Sequence, residues 1–263
     1  MISNYSSMQS FIRVILSCFI VISLSIFSAF GQEMPGMNKD TSAGKQKEMM
    51  DMQTQMSLPM SFFTHMGIPL NAGTYSLRVA ALLDQYKGLT TADMNFQFET
   101  GLSKTVGLFI GGEKLFDDPT LEAMVQFLVF KSRNGMSGFS PIIEFEFPLG
   151  DEAPRHFYTL VGIAGTLSNS RLASNLVLHY SPIEDLVEGS ASLVIKASKQ
   201  IFFVSEISGL VGNGLKPVFE LLGGVKVKLN KNFILGFAFQ FPVTVNRDYS
   251  SQYVFQPNIM LGK

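Results

Sequence analysis

Cysteine is nearly absent from this chain. The single one, Cys18, lies in an apolar N-terminal stretch, so the remainder has no thiol for a disulfide or a thiolate metal site. A lipid-modified cysteine is disfavoured as well, because the apolar run continues well past Cys18. Tryptophan is missing altogether, which leaves Phe and Tyr to form any aromatic belt at a membrane interface. Charge is scarce: Asp, Glu, Lys and Arg make up 16% of the residues, against roughly 25% in soluble domains. With 20 basic and 21 acidic residues no excess exists to grip phosphates, which argues against a nucleic-acid partner. Past the N-terminus no run of about 18 uncharged apolar residues occurs, which argues against a bundle of transmembrane helices. Yet the mean hydropathy is +0.24. High hydrophobicity without long apolar runs is what a membrane β-barrel requires.

What is present begins with a leader. Arg13 supplies a positive flank, Val14 to Phe30 an apolar core, and Ala29-Phe30-Gly31 small residues at a cleavage site. Residues 1–31 therefore read as a signal peptide; the competing reading is an uncleaved anchor helix. Residues 32–70 differ in composition from everything after them. Met34, Met37, Met49, Met50, Met52, Met56, Met60 and Met66 fall here, with His65, among Lys, Asp, Gln and Ser. So polar a segment is expected to be a flexible periplasmic tail. Thioether sulfur suits Cu(I), so these methionines with His65 form a candidate soft-metal site; the plainer reading is a linker of biased composition. No other cofactor is indicated.

From Thr74 onward apolar and polar residues alternate. Met94-Asn95-Phe96-Gln97-Phe98-Glu99 and Ile143-Glu144-Phe145-Glu146-Phe147 are clear cases, and Phe233 to Phe241 is another. Period two puts successive side chains on opposite faces of a β-strand. About 12 strands are expected, near 74–84, 92–100, 104–114, 120–132, 138–148, 156–167, 170–180, 189–198, 201–210, 217–228, 231–242 and 251–261. The connections alternate between tight ones, such as Leu102-Ser103, Asn169-Ser170 and Asn230-Lys231, and longer ones near 85–91, 115–119, 149–155, 181–188, 211–216 and 243–250. Membrane barrels show this alternation of short periplasmic turns and longer outer loops; a soluble β-sandwich, the remaining structural alternative, has no reason to. The fold class is thus all-β: a transmembrane antiparallel up-and-down β-barrel spanning 71–263.

Faces follow from parity. Tyr75, Leu77, Val79, Ala81 and Leu83 form one face of the first strand, Phe219, Leu221, Val225 and Val227 one face of the tenth, and Tyr253, Phe255, Ile259 and Leu261 one face of the last. These are assigned to outer-membrane lipid. The opposite faces carry the polar side chains, because an Arg or Lys facing the bilayer midplane costs roughly 2–4 kcal/mol. Arg78, Glu99, Glu144, Glu146, His179, Lys196, Glu220 and Lys226 are the candidate lumen and selectivity residues. Pro257 implies a bulge or a local break in its strand.

Several stretches carry a family resemblance. They are His65-Met66-Gly67 with Gly73-Thr74-Tyr75-Ser76-Leu77-Arg78; Phe98-Glu99-Thr100-Gly101-Leu102; Gly135-Met136-Ser137-Gly138-Phe139; Ile143 to Pro148; Leu178-His179-Tyr180 with Glu188-Gly189-Ser190-Ala191; and Phe241-Pro242-Val243-Thr244 through Asn246-Arg247-Asp248. Together they resemble bacterial outer-membrane transporter-like barrels related to the channel proteins named after the phenol meta-cleavage pathway. The resemblance covers the strand region. It implies a pore or porin-like barrel and leaves the solute open. Such barrels typically end in an aromatic residue, whereas this chain ends Leu261-Gly262-Lys263.

Signals for catalysis are thin. His179 has Ser174 nearby in sequence, but the two are of opposite parity and would straddle the barrel wall, which speaks against a lipid-modifying His–Ser pair. Glu144 and Glu146 share one face; Lys196, Lys226, Lys228 and Arg78 offer them ion-pair partners in the same lumen. Glycine pairs such as Gly111-Gly112 and Gly223-Gly224 lack the Lys-Ser/Thr and helix of a phosphate loop and mark close strand packing instead. The leading expectation is a non-enzymatic channel passing a small solute across the outer membrane. Copper handling by the Met-rich tail, with the barrel as anchor or exit, and a lipid-acting barrel enzyme are the alternatives.

Overall fold

A computed structural model describes residues 58–133, 135–150, 157–244 and 249–262. Every regular element among them is a β-strand: β1 (Thr74–Tyr86), β2 (Leu89–Gly101), β3 (Val106–Glu113), β4 (Thr120–Phe127), β5 (Phe130–Lys131), β6 (Gly138–Pro148), β7 (Tyr158–Ser168), β8 (Leu172–Ser181), β9 (Leu186–Lys196), β10 (Ile201–Gly212), β11 (Val218–Lys228), β12 (Phe233–Pro242) and β13 (Ser251–Gly262). Each long strand pairs antiparallel with its neighbours, β1 joins β13, and β4 joins β6 directly. The two-residue β5 only extends the edge of β6. The result is a closed ring of twelve antiparallel strands. Closure leaves no unpaired edge, the condition for putting a sheet into lipid.

Strand boundaries follow the alternating pattern closely, and one connection and one strand depart from it. The first was expected to be a long loop near 85–91. Instead Tyr86 pairs with Leu89 across a two-residue turn at Lys87 (φ 48°) and Gly88 (φ 85°). Two successive positive φ angles match the right-handed twist of a hairpin, so the ladder runs on through the polar stretch Asp84 to Thr91. The fourth strand, expected over 120–132, breaks after Phe127 and resumes only as β5.

Pro257 produces a break and no bulge. The β1–β13 register is the same on both sides of it, from Arg78↔Asn258 to Ala81↔Phe255, so only the intervening ladder is interrupted. Its other side still pairs with Leu235.

The outer surface is apolar. Tyr75, Leu77, Leu83, Phe237, Phe239, Tyr253, Phe255 and Ile259 are exposed. Phe237 lies 5.0 Å from Phe255 and Phe239 lies 5.3 Å from Tyr253, ring centre to ring centre. The inner face holds the polar set, as parity requires: Arg78, Asn95, Gln97, Asn175, Glu206, Lys226, Gln256 and Asn258 are all buried.

Two expectations about the interior need correction. The lumen is not polar all round: Ala80, Leu82, Ala173, Val194, Phe202, Val204, Leu222 and Val254 form an apolar wall packed around Phe62. And the part of the tail that the structure describes, from Leu58 to Leu70, is not a free periplasmic segment; it lies inside the barrel, with Ser61 and Phe62 completely buried. The physical reason is the same for both. A local aromatic pair, Phe62-Phe63, finds apolar surface inside the ring, and burying such a side chain is worth about 1.5–3 kcal/mol. Residues 1–57, with the leader, Cys18 and the methionines from Met34 to Met56, lie outside the described residues, as does Asn246-Arg247-Asp248.

Candidate functional site

The site is the barrel interior and the strand of chain that crosses it. At Ser61 the segment meets β8 and β9: Asn175 Nδ2 donates to Ser61 Oγ at 3.1 Å and to Ser192 Oγ at 3.0 Å, and the two hydroxyl oxygens are 2.5 Å apart. The carbonyl of Ser61 turns the other way, accepting from Lys226 Nζ on β11 at 2.7 Å and from Arg78 Nη1 on β1 at 3.1 Å. Gln256 Nε2 on β13 donates to the Phe62 carbonyl at 2.8 Å.

Glu206 on β10 holds the next turn of chain. Its carboxylate accepts from the backbone N–H of Phe62, of Phe63 at 3.1 Å and of Thr64 at 3.0 Å, and from the Thr64 hydroxyl at 3.0 Å. A carboxylate surrounded by backbone donors is a charge-assisted anchor, roughly twice as strong as neutral pairs. The Phe62 ring lies under the Lys226 ammonium, 4.4 Å from its centroid. It fits a hollow floored by Gly224 and Gly236: a Cβ on Gly236 would come within 2.6 Å of the ring.

The segment then crosses to the opposite wall. The His65 ring packs edge-on against Phe109 at 4.3 Å, and its Nδ1 lies 3.5 Å from Glu99, which also pairs with Arg78. Gln126 donates to the Met66 carbonyl at 2.8 Å. Gly67 is clamped on both sides, its N–H donating to Thr166 at 2.7 Å and its carbonyl accepting from Ser140 at 2.8 Å. Here the two backbones approach so closely that a Cβ on Gly67 would sit 2.5 Å from Gly165 Cα; only glycine passes. Leu70 and Asn71 finally pack on Gly101 at the barrel end that carries Thr74 and Gly262.

The inward charges are sorted along the axis. In the half nearest the chain ends lie Arg78, Lys196, Lys226 and Lys228, with Glu99. In the far half the inward strand positions carry Asp84, Asp93, Glu113, Glu122, Glu144, Glu146, Glu188 and Glu220, and among the described residues no strand Lys or Arg faces them. The sequence-predicted ladder pairing Glu144 and Glu146 with Lys196, Lys226, Lys228 and Arg78 is therefore not what the fold builds: the two groups face the lumen at different heights. Glu220 instead accepts from Ser208 at 3.2 Å and from Tyr249, which also receives a 2.8 Å bond from Gln240.

Of the described members of the candidate soft-metal set, Met60 takes a 3.7 Å contact from the Ser76 hydroxyl on β1, while His65 and Met66 lie against β2–β4 as described. Ser174 and His179 fall on opposite faces of β8, opposite Leu193 and Glu188 respectively. Ser61, Ser192, Glu206 and Gln256, central here, were not singled out as site residues from sequence. Glu206 and Gln256 have the parity of the inner, polar faces of their strands; the signal in the tail is Ser61-Phe62-Phe63, an aromatic island among polar residues.

No family model matches the sequence, and no curated protein matches it either. Solved structures do. The KdgM porin superposes with a TM-score of 0.53 at 10% identity, covering 70% of this chain and 98% of its own. The NanC porin gives 0.54 at 7%, covering 72% and 99%. An outer membrane channel from Pseudomonas putida gives 0.54 at 8%, covering 74% and 98%. The fold is that of the outer-membrane porins. At these identities the likeness speaks for architecture and leaves chemistry to the residues.

Proposed function

We propose that this chain is an outer-membrane channel passing a small neutral or cationic solute, with residues 58–71 as an internal gate. The apolar exterior faces lipid, the end carrying Thr74 and Gly262 faces the periplasm, and the acidic half of the lumen faces out. One observation carries the reading: a stretch of chain crosses the barrel interior on hydrogen bonds and one aromatic anchor, without any covalent tie. Every bond it makes to Arg78, Glu206, Lys226, Asn175 and Gln256 can be exchanged for water, so displacement toward the periplasmic opening leaves a hydrated, charged lumen. Rings of Asp and Glu favour cations in such pores. The KdgM porin has been solved with oligogalacturonate, a polyanion; the acidic half of this lumen repels such a solute, so this chain suits a different class. Arg78, Glu99 and Lys226 act on the gate, Lys196 lines the same half of the lumen, and Glu144, Glu146, His179 and Glu220 line the acidic half that the solute meets.

The test is conductance in planar bilayers under a salt gradient. The expected result is a cation-selective reversal potential, with conductance that rises when residues 58–70 are deleted. Silence after the deletion, or anion selectivity, would overturn the reading.

A further inference from the structure

One feature of the wall stands apart from the gate. On β4 and β6, Glu122 and Glu146 are directly opposed across the ladder, and Glu144 lies two residues from Glu146 on the same inward face. One carboxylate oxygen from each falls within 4.8 Å of the others. Like charges directly opposite on a sheet destabilise it, and here the repulsion occurs at buried or half-buried positions.

His179 supplies the independent observation. It reaches this group from β8 and is nine-tenths buried. Its Nε2 lies 3.2 Å from Glu144 Oε2, yet the angles do not make a hydrogen bond, and neither atom has any other partner. A ring nitrogen and a carboxylate oxygen aimed at the same space, both desolvated and both unpaired, leave two buried polar groups uncompensated. A cation between them satisfies both at once.

We infer that Glu122, Glu144, Glu146 and His179 form a binding site for a divalent first-row transition ion on the inner wall of the barrel. Three carboxylates balance and exceed the charge of such an ion, and an oxygen set of this span closes on one cation with bonds of about 2.0–2.4 Å. The imidazole decides between classes: nitrogen suits zinc and its neighbours, whereas calcium and magnesium take oxygen alone. The ion would bind β4 to β6 toward the Thr120–Pro148 end of their ladder, away from β5, and link both to β8. The site does not depend on what the channel passes or on how the gate moves.

The experiment is calorimetric titration of the full chain, purified in detergent, with Zn2+ alone. One ion per chain should bind, and Glu144→Gln with Glu146→Gln should weaken binding by more than about 100-fold, beyond the usual effect of altering a supporting partner of a ligand. His179→Gln should lower the preference for Zn2+ over Ca2+. X-ray absorption on the bound zinc should show nitrogen and oxygen neighbours and no sulfur, which separates this site from the methionines of residues 32–66. Glu146→Gln relieves the Glu122 repulsion, so the metal-free variant should unfold no more easily than wild type, keeping the loss of binding interpretable. No binding by the wild type, binding that survives the double substitution, or a sulfur shell would each overturn the assignment.

Discussion

Lys226 and Arg78, on strands β11 and β1, grip one and the same oxygen. The Ser61 carbonyl accepts from Lys226 Nζ at 2.7 Å and from Arg78 Nη1 at 3.1 Å. Two cations share this acceptor while Glu206 holds the following amides, so the crossing segment neutralises a mixed-charge wall by presenting backbone carbonyls to the cations and backbone N–H groups to the carboxylate. Of the interior charges read from the alternating pattern, Arg78 and Lys226 thus hold the crossing segment.

Weakening the anionic holder should release the gate. Glu206→Gln keeps the size and removes the charge behind four donated bonds; hydrogen bonds to a charged group are worth about 1.5–3 kcal/mol each. Open probability should rise by about tenfold or more, and chymotrypsin should cleave at Phe62 or Phe63 in the variant and spare the wild type. Single-channel recording and limited proteolysis in detergent check the two halves.

The aromatic anchor makes a separate, steric prediction. Gly236→Ala places a methyl within 2.6 Å of the Phe62 ring, and such overpacking costs typically about 1–3 kcal/mol. The single variant should conduct more often than wild type. Adding Phe62→Leu frees room for the methyl, so the double variant should recover part of the loss; a double-mutant cycle with no coupling would refute the contact.

Selectivity should depend on the acidic half of the lumen. Asp84→Asn together with Glu220→Gln leaves the gate contacts and the Glu122–Glu144–Glu146 group in place. The cation preference of the reversal potential should fall toward unity, and the effect should shrink as salt rises, since screening shortens from about 10 Å at 0.1 M to about 3 Å at 1 M. An unchanged reversal potential at low salt would contradict this.

The lipid face can be tested against the lumen face at adjacent residues. Phe255 points out and Gln256 points in. Phe255→Lys should cost about 2–4 kcal/mol in urea unfolding from liposomes if its depth is near the midplane. Moving the same charge to the neighbouring inward position Val254 should cost less in the membrane, although it will disturb the packing around Phe62.

Much of this architecture was legible in the residues. Period two assigned Arg78, Lys226, Glu144 and His179 inward and Tyr253, Phe255 and Ile259 outward, because side-chain parity is a local property of a strand. The turn at Lys87-Gly88 was missed because polar residues around it carry no hydrophobic pattern, while the backbone ladder needs none. The gate was missed for a different reason. Segment 58–71 has no periodicity, and what holds it are single contacts from nearly every part of the ring, Ser192, Glu206, Lys226, Gln256, Arg78, Gln126 and Thr166 among them. Those partners lie up to 194 residues away in sequence, and only closure of the ring brings them together.

The central claim is that residues 58–71 block the channel from within, and Ser61 beside Ser192 offers a direct test. Their hydroxyl oxygens are 2.5 Å apart, so Ser61→Cys with Ser192→Cys, in a chain whose Cys18 is replaced by Ser, should form a disulfide that locks the segment in place. The account predicts that the oxidised protein stays silent in a planar bilayer and that reductant restores the openings of the wild type. An oxidised, cross-linked protein that conducts as freely as the reduced one would contradict it.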